Sequence, residues 1–391
     1  MASAVSMQEI TVRFDQVLAN QNVNFEANWG EVHGLVGENG AGKTTLMRVL
    51  YGMYTHYEGD VYINGEKVRF ASPKDAIVKG IGMVHQHFSL VPSMTVTENL
   101  IMGKPPYHHG LIDLKEGEKI VRQLSAEYGL EINPGAKVKD LTVGLQQRVE
   151  ILKALYLGAE ILIMDEPTAV LTPQEIRQLM ETLIHLKEKG KCIILITHKL
   201  AEVKMVTDRI TVMRNGVVTA HVDTKDTDEK QIAMMMVGRE VILEVQKGEY
   251  RPGQVVLDLK HVSCLDKTGL PAVKNVSFQI HRGEVVGIAG VQGNGQSELA
   301  DAVSGLLPLT NGEVILNGKK IGGRNAPLMC RENGMGHIHD DRMNVGTAGD
   351  MSIRDNFLAT IYREPELNKG FFLDYRGIRI VRLLYLPEIV P

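Results

Sequence analysis

Nothing in the 391 residues approaches the roughly 20-residue apolar run that a helix needs to span a bilayer. The opening MASAVSMQEITVRF also lacks the basic start and apolar centre of a secretory signal. Any role at a membrane is therefore expected to come through a partner. A basic excess is missing too. The 43 lysines and arginines are set against 47 acids, a formal charge of −4, with both signs mixed along the chain. Nucleic acid is thus not an expected partner, because its phosphates would call for a basic face. Cysteine is scarce: Cys192, Cys264 and Cys330 are widely spaced, odd in number and form no CxxC pair. That pattern argues against a disulfide framework and for reduced cytosolic thiols.

What the chain does have is an internal repeat. Gly30 to Gly65 recurs without a gap from Gly283 to Gly318, and the 253-residue offset between Gly37 and Gly290 also separates Gly65 from Gly318. Each copy carries Gly-Glu, a short apolar run, a glycine-rich loop, a helical stretch, then Gly-x-Val and Asn-Gly. A chain of this length holds two ordinary domains. The expected boundaries are residues 1–245 for the first, 246–253 for a polar linker around KGEYRPGQ, and 254–391 for the second.

The apolar runs Glu31–Val36, Glu284–Ala289, Ile161–Met164 and Cys192–Thr197 read as buried parallel strands. Between the last two, Pro173–Lys189 has apolar residues at helical spacing. Strand, helix, strand in this order predicts an α/β sandwich with a mainly parallel sheet. Residues from about Pro105 to Asp140 read as a polar helical subdomain. The run Met234, Met235, Met236 reads as core filler rather than a functional surface.

Chemistry concentrates where strands end. The loop GENGAGKT, Gly37 to Thr44, follows one predicted strand and opens a helix. Its glycines let backbone N–H groups turn inward, and the helix start adds positive partial charge, which makes a phosphate cradle. Gly37, Asn39, Gly40, Gly42 and Thr45 are expected to build it. Lys43 is expected on the β- and γ-phosphates, and Thr44 is expected to offer its hydroxyl to Mg²⁺. The run Ile161 to Pro167 ends in two carboxylates, which would bring Asp165 to the metal and let Glu166 polarise a water. The plainer alternative is an acidic turn closing a strand. His198 ends another apolar strand and is expected beside the same pocket, although a strand-end histidine taken singly is usually structural.

In this order, and over nearly the whole chain, the motifs resemble those of ABC transporter ATP-binding subunits. The resemblance implies a P-loop NTPase (ABC ATPase) sandwich with a mainly parallel sheet and a helical subdomain, repeated twice. It implies ATP and Mg²⁺ as the bound species. Integral-membrane permease subunits would be the partners, with an extracellular solute-binding protein involved indirectly and a homodimer of the chain also expected. The place implied is the cytoplasmic face of the plasma membrane, as a peripheral protein. By the same likeness Phe14 stacks on adenine, with a buried strand residue as the rival reading. Gln86, within Met83 to Phe88, takes the Q-loop place and touches Mg²⁺ or water; His85 and His87 flank it without zinc spacing. His198 contacts the γ-phosphate. Leu141 to Arg148, LTVGLQQR, takes the place of the signature LSGGQ and departs from it at Thr142, Val143 and Leu145. Thr142 keeps a hydroxyl donor, Gly144 keeps the close-approach position, and the following helix would aim its N-terminus at a phosphate. In the D-loop, Ala169 to Thr172, threonine stands where Asp is usual.

The second loop reads GVQGNGQS, Gly290 to Ser297, with Gln296 in the place of Lys43. Exchanging a charge-assisted hydrogen bond for a neutral one roughly halves its strength, so nucleotide should bind there weakly. Asp340 falls at the second Q-loop place. Counted forward, the second signature, Asp-Glu strand and switch histidine would fall past Pro391, so the second copy is expected to be incomplete and the reading frame truncated or frameshifted. Its sheet would lack the strand beside the P-loop strand and leave apolar surface open to water. The tandem layout most resembles importer ATPases for nucleosides and sugars. Gly82 to Phe88 and LTVGLQQRVEIL favour the nucleoside type. Two other readings stand beside it: an ATP-binding fragment with little turnover, and a soluble tandem protein acting on ribosomes or nucleic acid. Gln296 and the short linker argue against the latter.

Overall fold

The computed structural model describes residues 3–85, 89–168, 171–239, 252–266, 268–290, 293–363, 367–369 and 372–373. The chain falls into two compact units, Met1–Gln246 and Lys247–Pro391.

The first unit has two sheets. β1 (Ser3–Phe14), β2 (Val17–Asn28), β4 (Glu58–Ile63) and β5 (Glu66–Val68) form an antiparallel sheet in the order β2-β1-β4-β5. β3 (Val32–Val36), β6 (Ile81–Val84), β9 (Ile161–Asp165), β10 (Cys192–Thr197), β11 (Arg209–Arg214) and β12 (Val217–Asp223) form the second, ordered β12-β11-β3-β10-β9-β6. All its pairings are parallel except β11 with β12.

The unbroken apolar runs follow from burial on both faces of that sheet. Side chains alternate along a strand. Ile161 and Ile163 of β9, with Cys192, Ile194 and Ile196 of β10, enter one core together with α1 (Lys43–Leu50) and the antiparallel sheet. Leu162 and Met164, with Ile193 and Leu195, enter the other core against α3 (Val96–Ile101), α4 (Leu114–Tyr128), α5 (Val143–Tyr156) and α6 (Pro173–Glu188). Neither face can be polar, and each such side chain contributes about 1.5–3 kcal/mol by leaving water. In α6, Thr172 caps, Pro173 opens the first turn, and Leu179, Met180, Leu183 and Leu186 form the buried stripe.

The helical subdomain differs in detail from expectation. Only Leu114–Tyr128 is an α-helix within 105–140, started by Asp113 accepting from the Glu116 N–H and ended by Gly129 at φ 66°. A small hairpin of β7 (Tyr107–His108) and β8 (Leu111–Ile112) precedes it. α2 (Pro73–Val78) precedes β6. α7 (Leu200–Val206) and α8 (Glu229–Val237) pack near β11, where Met236 is buried while Met234 is 44% exposed, so one methionine of the run fills core and another does not. The expected linker 246–253 lies outside the described residues except for Pro252 and Gly253.

In the second unit, β13 (Val255–Leu265), β14 (Pro271–His281), β15 (Leu309–Leu316) and β16 (Lys319–Ile321) form an antiparallel sheet ordered β14-β13-β15-β16, the order of β2-β1-β4-β5. Leu257, Leu259 and Val262 pack under α9 (Gln296–Val303) and α10 (Ala326–Glu332). α11 (Ile353–Ile361) follows.

One expectation is corrected here. Glu284–Ala289 is not a strand, and Val285 and Ile288 are 98% and 54% exposed. Its counterpart β3 is held between β10 and β11 and is buried on both faces. Among the described residues no strand lies beside 284–289, and an apolar run cannot form a parallel strand without neighbours to bond. The three cysteines are buried free thiols, and burial pushes the Cys192 thiol up to about 12, which keeps it protonated and unreactive.

Candidate nucleotide site

β3 delivers the chain directly into the glycine loop. A Cβ on Gly37 would collide with the Met213 carbonyl of β11, and one on Gly42, at φ 95°, with the Ala19 carbonyl. Both positions demand glycine because neighbouring backbone closes on them. Gly40 (φ 82°) meets nothing within 4 Å, and Asn39 beside it is exposed. Asn20, fully buried, donates through Nδ2 to the Gly42 carbonyl at 3.2 Å and fixes the loop from beneath. No side chain caps α1, whose N-cap is Gly42, so its first N–H groups, Thr45 among them, are left for an anion.

Lys43 is 5% exposed and folds back on this loop, donating from Nζ to the carbonyls of Gly37 at 2.7 Å and Glu38 at 2.9 Å. Burial lowers its pKa, and the charges of Glu166 and Asp165 work against that fall. Thr44 donates from Oγ1 to Asp165 Oδ1 at 3.2 Å. Burial raises the Asp165 pKa, and the Thr44 hydrogen bond opposes it.

Glu166, the next residue, has φ 46°, a left-handed conformation rare for a side-chain-bearing residue. Its N–H donates to the Ile196 carbonyl at 3.0 Å, which ties the strand end of β9 to β10. Its Oε1 lies 3.0 Å from His198 Nδ1. Lys43, Thr44, Asp165, Glu166 and His198 therefore meet at one end of the parallel sheet, although they come from three separate stretches of the chain.

The other predicted residues that the structure describes are not joined to this cluster by any of these contacts. Phe14, at the end of β1, is 41% exposed and meets Tyr54 edge-on with ring centroids 5.1 Å apart, so it is not a buried strand residue. Gln86, with His87 and Phe88, lies outside the described residues, as do Ala169 and Val170. Thr142 caps α5, accepting from the Leu145 N–H at 3.4 Å, and Gly144 sits in the first turn facing Glu175.

Sequence reasoning missed the braces. Gln147 of α5 is buried and donates from Nε2 to the Pro167 carbonyl at 2.8 Å, linking α5 to the residue after Glu166. Thr168 and Thr197 both donate to Glu202 Oε2, at 2.7 and 3.3 Å, and so join the two strand ends. No local pattern marks the Gln147–Pro167 and Thr168–Glu202 contacts, which join residues 20 and 34 apart in the chain.

Two strand ends carrying carboxylates and a histidine, set against a glycine loop that opens a helix, make an arrangement whose chemistry suits a polyphosphate. The oxygen pair of Thr44 and Asp165 suits Mg²⁺, a hard cation that takes one or two protein oxygens and completes its shell with water and phosphate. The family model for ABC transporters matches residues 20–169 and 273–364. The chain is 44% identical to a nucleoside import ATP-binding protein of Lactococcus lactis subsp. cremoris, covering 96% of this chain and 74% of that protein. It is 47% identical to a guanosine import ATP-binding protein of Bacillus subtilis, covering 93% and 72%. A glucose import ATP-binding protein of Haloferax volcanii is 42% identical over 95% of this chain and 73% of its own length. Among solved structures, a nucleotide-free ATP-binding cassette from an ABC transporter superposes with a TM-score of 0.52 at 26% identity, over 63% of this chain and all of that one. This chain belongs to the ABC transporter family, as an ATP-binding protein with the family's α/β P-loop cassette fold.

Proposed function

We propose that the chain hydrolyses ATP to energise an importer of nucleosides or sugars, with nucleosides favoured. The observation that carries this reading is the meeting of Lys43, Thr44, Asp165, Glu166 and His198 around the glycine loop. Thr44 and Asp165 would hold Mg²⁺, which when bound would supply positive charge against the phosphates. Lys43 exchanges the Gly37 and Glu38 carbonyls for phosphate oxygens, a route the 2.7 and 2.9 Å contacts leave short. Glu166, aimed by His198 and by its own constrained backbone, orients the attacking water and draws on its proton. Phe14 receives the adenine ring, and Gln86 reports on the metal and water.

The signature Thr142 to Leu145 would close the site of a facing P-loop, in a second copy of this chain or in a second cassette. Residues 1–245 serve as the first cassette, 246–253 as the linker and 254–391 as a second copy of the antiparallel part, with Gln296 in the lysine's place. Permease subunits are the membrane partners and an extracellular solute-binding protein acts through them, which places the chain at the cytoplasmic face. Among the described residues no helix is long and apolar enough to cross a membrane.

The test is Glu166→Gln assayed with Mg²⁺ and the permease. ATP binding should persist while turnover falls by about 10²–10⁴, the usual contribution of a general base. Equal hydrolysis by both proteins would remove Glu166 from its role.

A further inference from the structure

α5 and α6 begin side by side, after Thr142 and Thr172, and a single carboxylate serves both beginnings. Through Oε2, Glu175 accepts from the Thr172 backbone N–H at 3.0 Å and from its hydroxyl at 2.9 Å, which completes the capping box of α6. Its other oxygen faces α5. A Cβ on Gly144 would sit 2.5 Å from Oε1 and 2.9 Å from the carboxyl carbon, so the absence of a side chain at residue 144 is what lets the carboxylate come this close to α5. The Thr172 donors, followed by the Gly144 N–H and the Thr142 hydroxyl, hold Glu175 below the usual carboxylate range.

The first turn of a helix offers unbonded N–H groups and about half a positive charge, which favours an anion. Here α5 gives that turn to a carboxylate of its own chain. We propose that Glu175 is an internal stand-in for the phosphate that the signature helix would otherwise receive, so that closure on ATP requires this carboxylate to leave its place over the first turn of α5, beside Gly144. The inference rests on the reading of the chain as an ATP-hydrolysing cassette. It adds that the signature is latched from within and that the start of α6 must shift for the latch to open. A phosphate arriving while Glu175 stays in place would meet a like charge and an occupied approach to residue 144. The latch therefore raises the ATP concentration at which facing P-loop and signature come together.

The test uses the full chain carrying Glu166→Gln, so that nucleotide persists, and follows ATP·Mg²⁺-driven pairing of two copies by sedimentation at low salt. Glu175→Gln keeps the acceptor a capping box needs and removes the charge. Half-maximal pairing should then need roughly two- to fivefold less ATP, the range a carboxylate at a helix N-terminus is worth. Glu175→Ala should shift pairing in the same direction despite a lower Tm. Thr172→Ala damages the same cap without removing the charge over α5, so it should lower Tm and leave pairing where it was; a merely structural Glu175 predicts that both alanine variants behave alike. Binding of a fluorescent ATP analogue to single copies is read separately and should be the same in all variants. Absence of that binding in the parent would sink the cassette reading, and the latch with it. Normal binding with pairing by Glu175→Gln at the same or higher ATP concentration, or with no pairing at all, would overturn the latch alone.

Discussion

Lys43 and Gln296 occupy equivalent places in two loops of one chain, and both side chains fold back over their own glycine loop. Lys43 donates to the Gly37 and Glu38 carbonyls, and the Gln296 amide lies where a Cβ on Gly290 would be. The hydroxyl that follows is engaged in each case, Thr44 with Asp165 and Ser297 with Asp340, both at 3.2 Å. What separates the two loops is their support. Gly37 lies against β11, and its strand is flanked on both sides; the run before Gly290 has no strand beside it among the described residues and is largely exposed. A loop sequence can thus be copied while the surroundings that give it rigidity and charge are not.

The Gly-Glu pair shows the same division at the base of each run. Glu31 and Glu284 each accept from the N–H three residues earlier, of Asn28 at 3.2 Å and His281 at 2.7 Å, a local turn that both copies keep. Glu284 also lies 3.2 Å from the Nδ1 of His281 within the same turn, whereas Glu31 receives the distant Arg209, at 3.0 and 3.1 Å, and lies 2.7 Å from the buried His33 Nδ1. Burial raises the Glu31 pKa, but these partners outweigh it and leave it at about 2.

The comparison can be sharpened first by hydrogen exchange. Amides of Val32–Val36 should be slowed by about 10³ or more, whereas those of 284–289 should exchange near the rate of an unstructured chain. Protection of both segments alike would erase the distinction between the loops. A smaller effect is expected from the two glutamates. Glu31 is 2% exposed and its pKa falls from 4.5 to about 2, so its contribution is complete above the unfolded value and is lost as pH drops from about 4.5 towards 2. At pH 7, Glu31→Gln should cost the first unit on the order of 3 kcal/mol by denaturant unfolding and flatten its acid dependence over that window. Smallest of all, Glu284→Gln should cost the second unit under about 1 kcal/mol, because the contacts with His281 that it weakens are local and partly exposed. Equal losses in the two units would mean that Arg209 and His33 add nothing to the first.

The strands β9 and β10 were legible in sequence because burial on both faces leaves an unbroken apolar run, and the glycine loop because few other residues fit its backbone. Glu284–Ala289 has the same local pattern as β3 and yet is no strand; pairing is decided by residues far away in the chain, which a local run does not encode. The cluster of Lys43, Thr44, Asp165, Glu166 and His198 could be assembled because each follows a strand of one parallel sheet, whose ends line up. Gln147 and Glu175 could not, since their partners Pro167 and Gly144 lie 20 and 31 residues away and meet them only once α5 and α6 pack. For Phe14 the sequence left a buried strand residue open beside an adenine partner; its exposure and its edge contact with Tyr54 come from the turn that ends β1, which a local run does not encode.

The measurement closest to the centre of this account is titration of the purified chain with a fluorescent adenine nucleotide and Mg²⁺, comparing Lys43→Ala with Gln296→Ala. Loss of a charge-assisted contact should weaken binding by roughly 10- to 100-fold in the first variant, while the second should leave it unchanged. Undiminished binding after Lys43→Ala, or a comparable loss after Gln296→Ala, would contradict the assignment of nucleotide to the first loop.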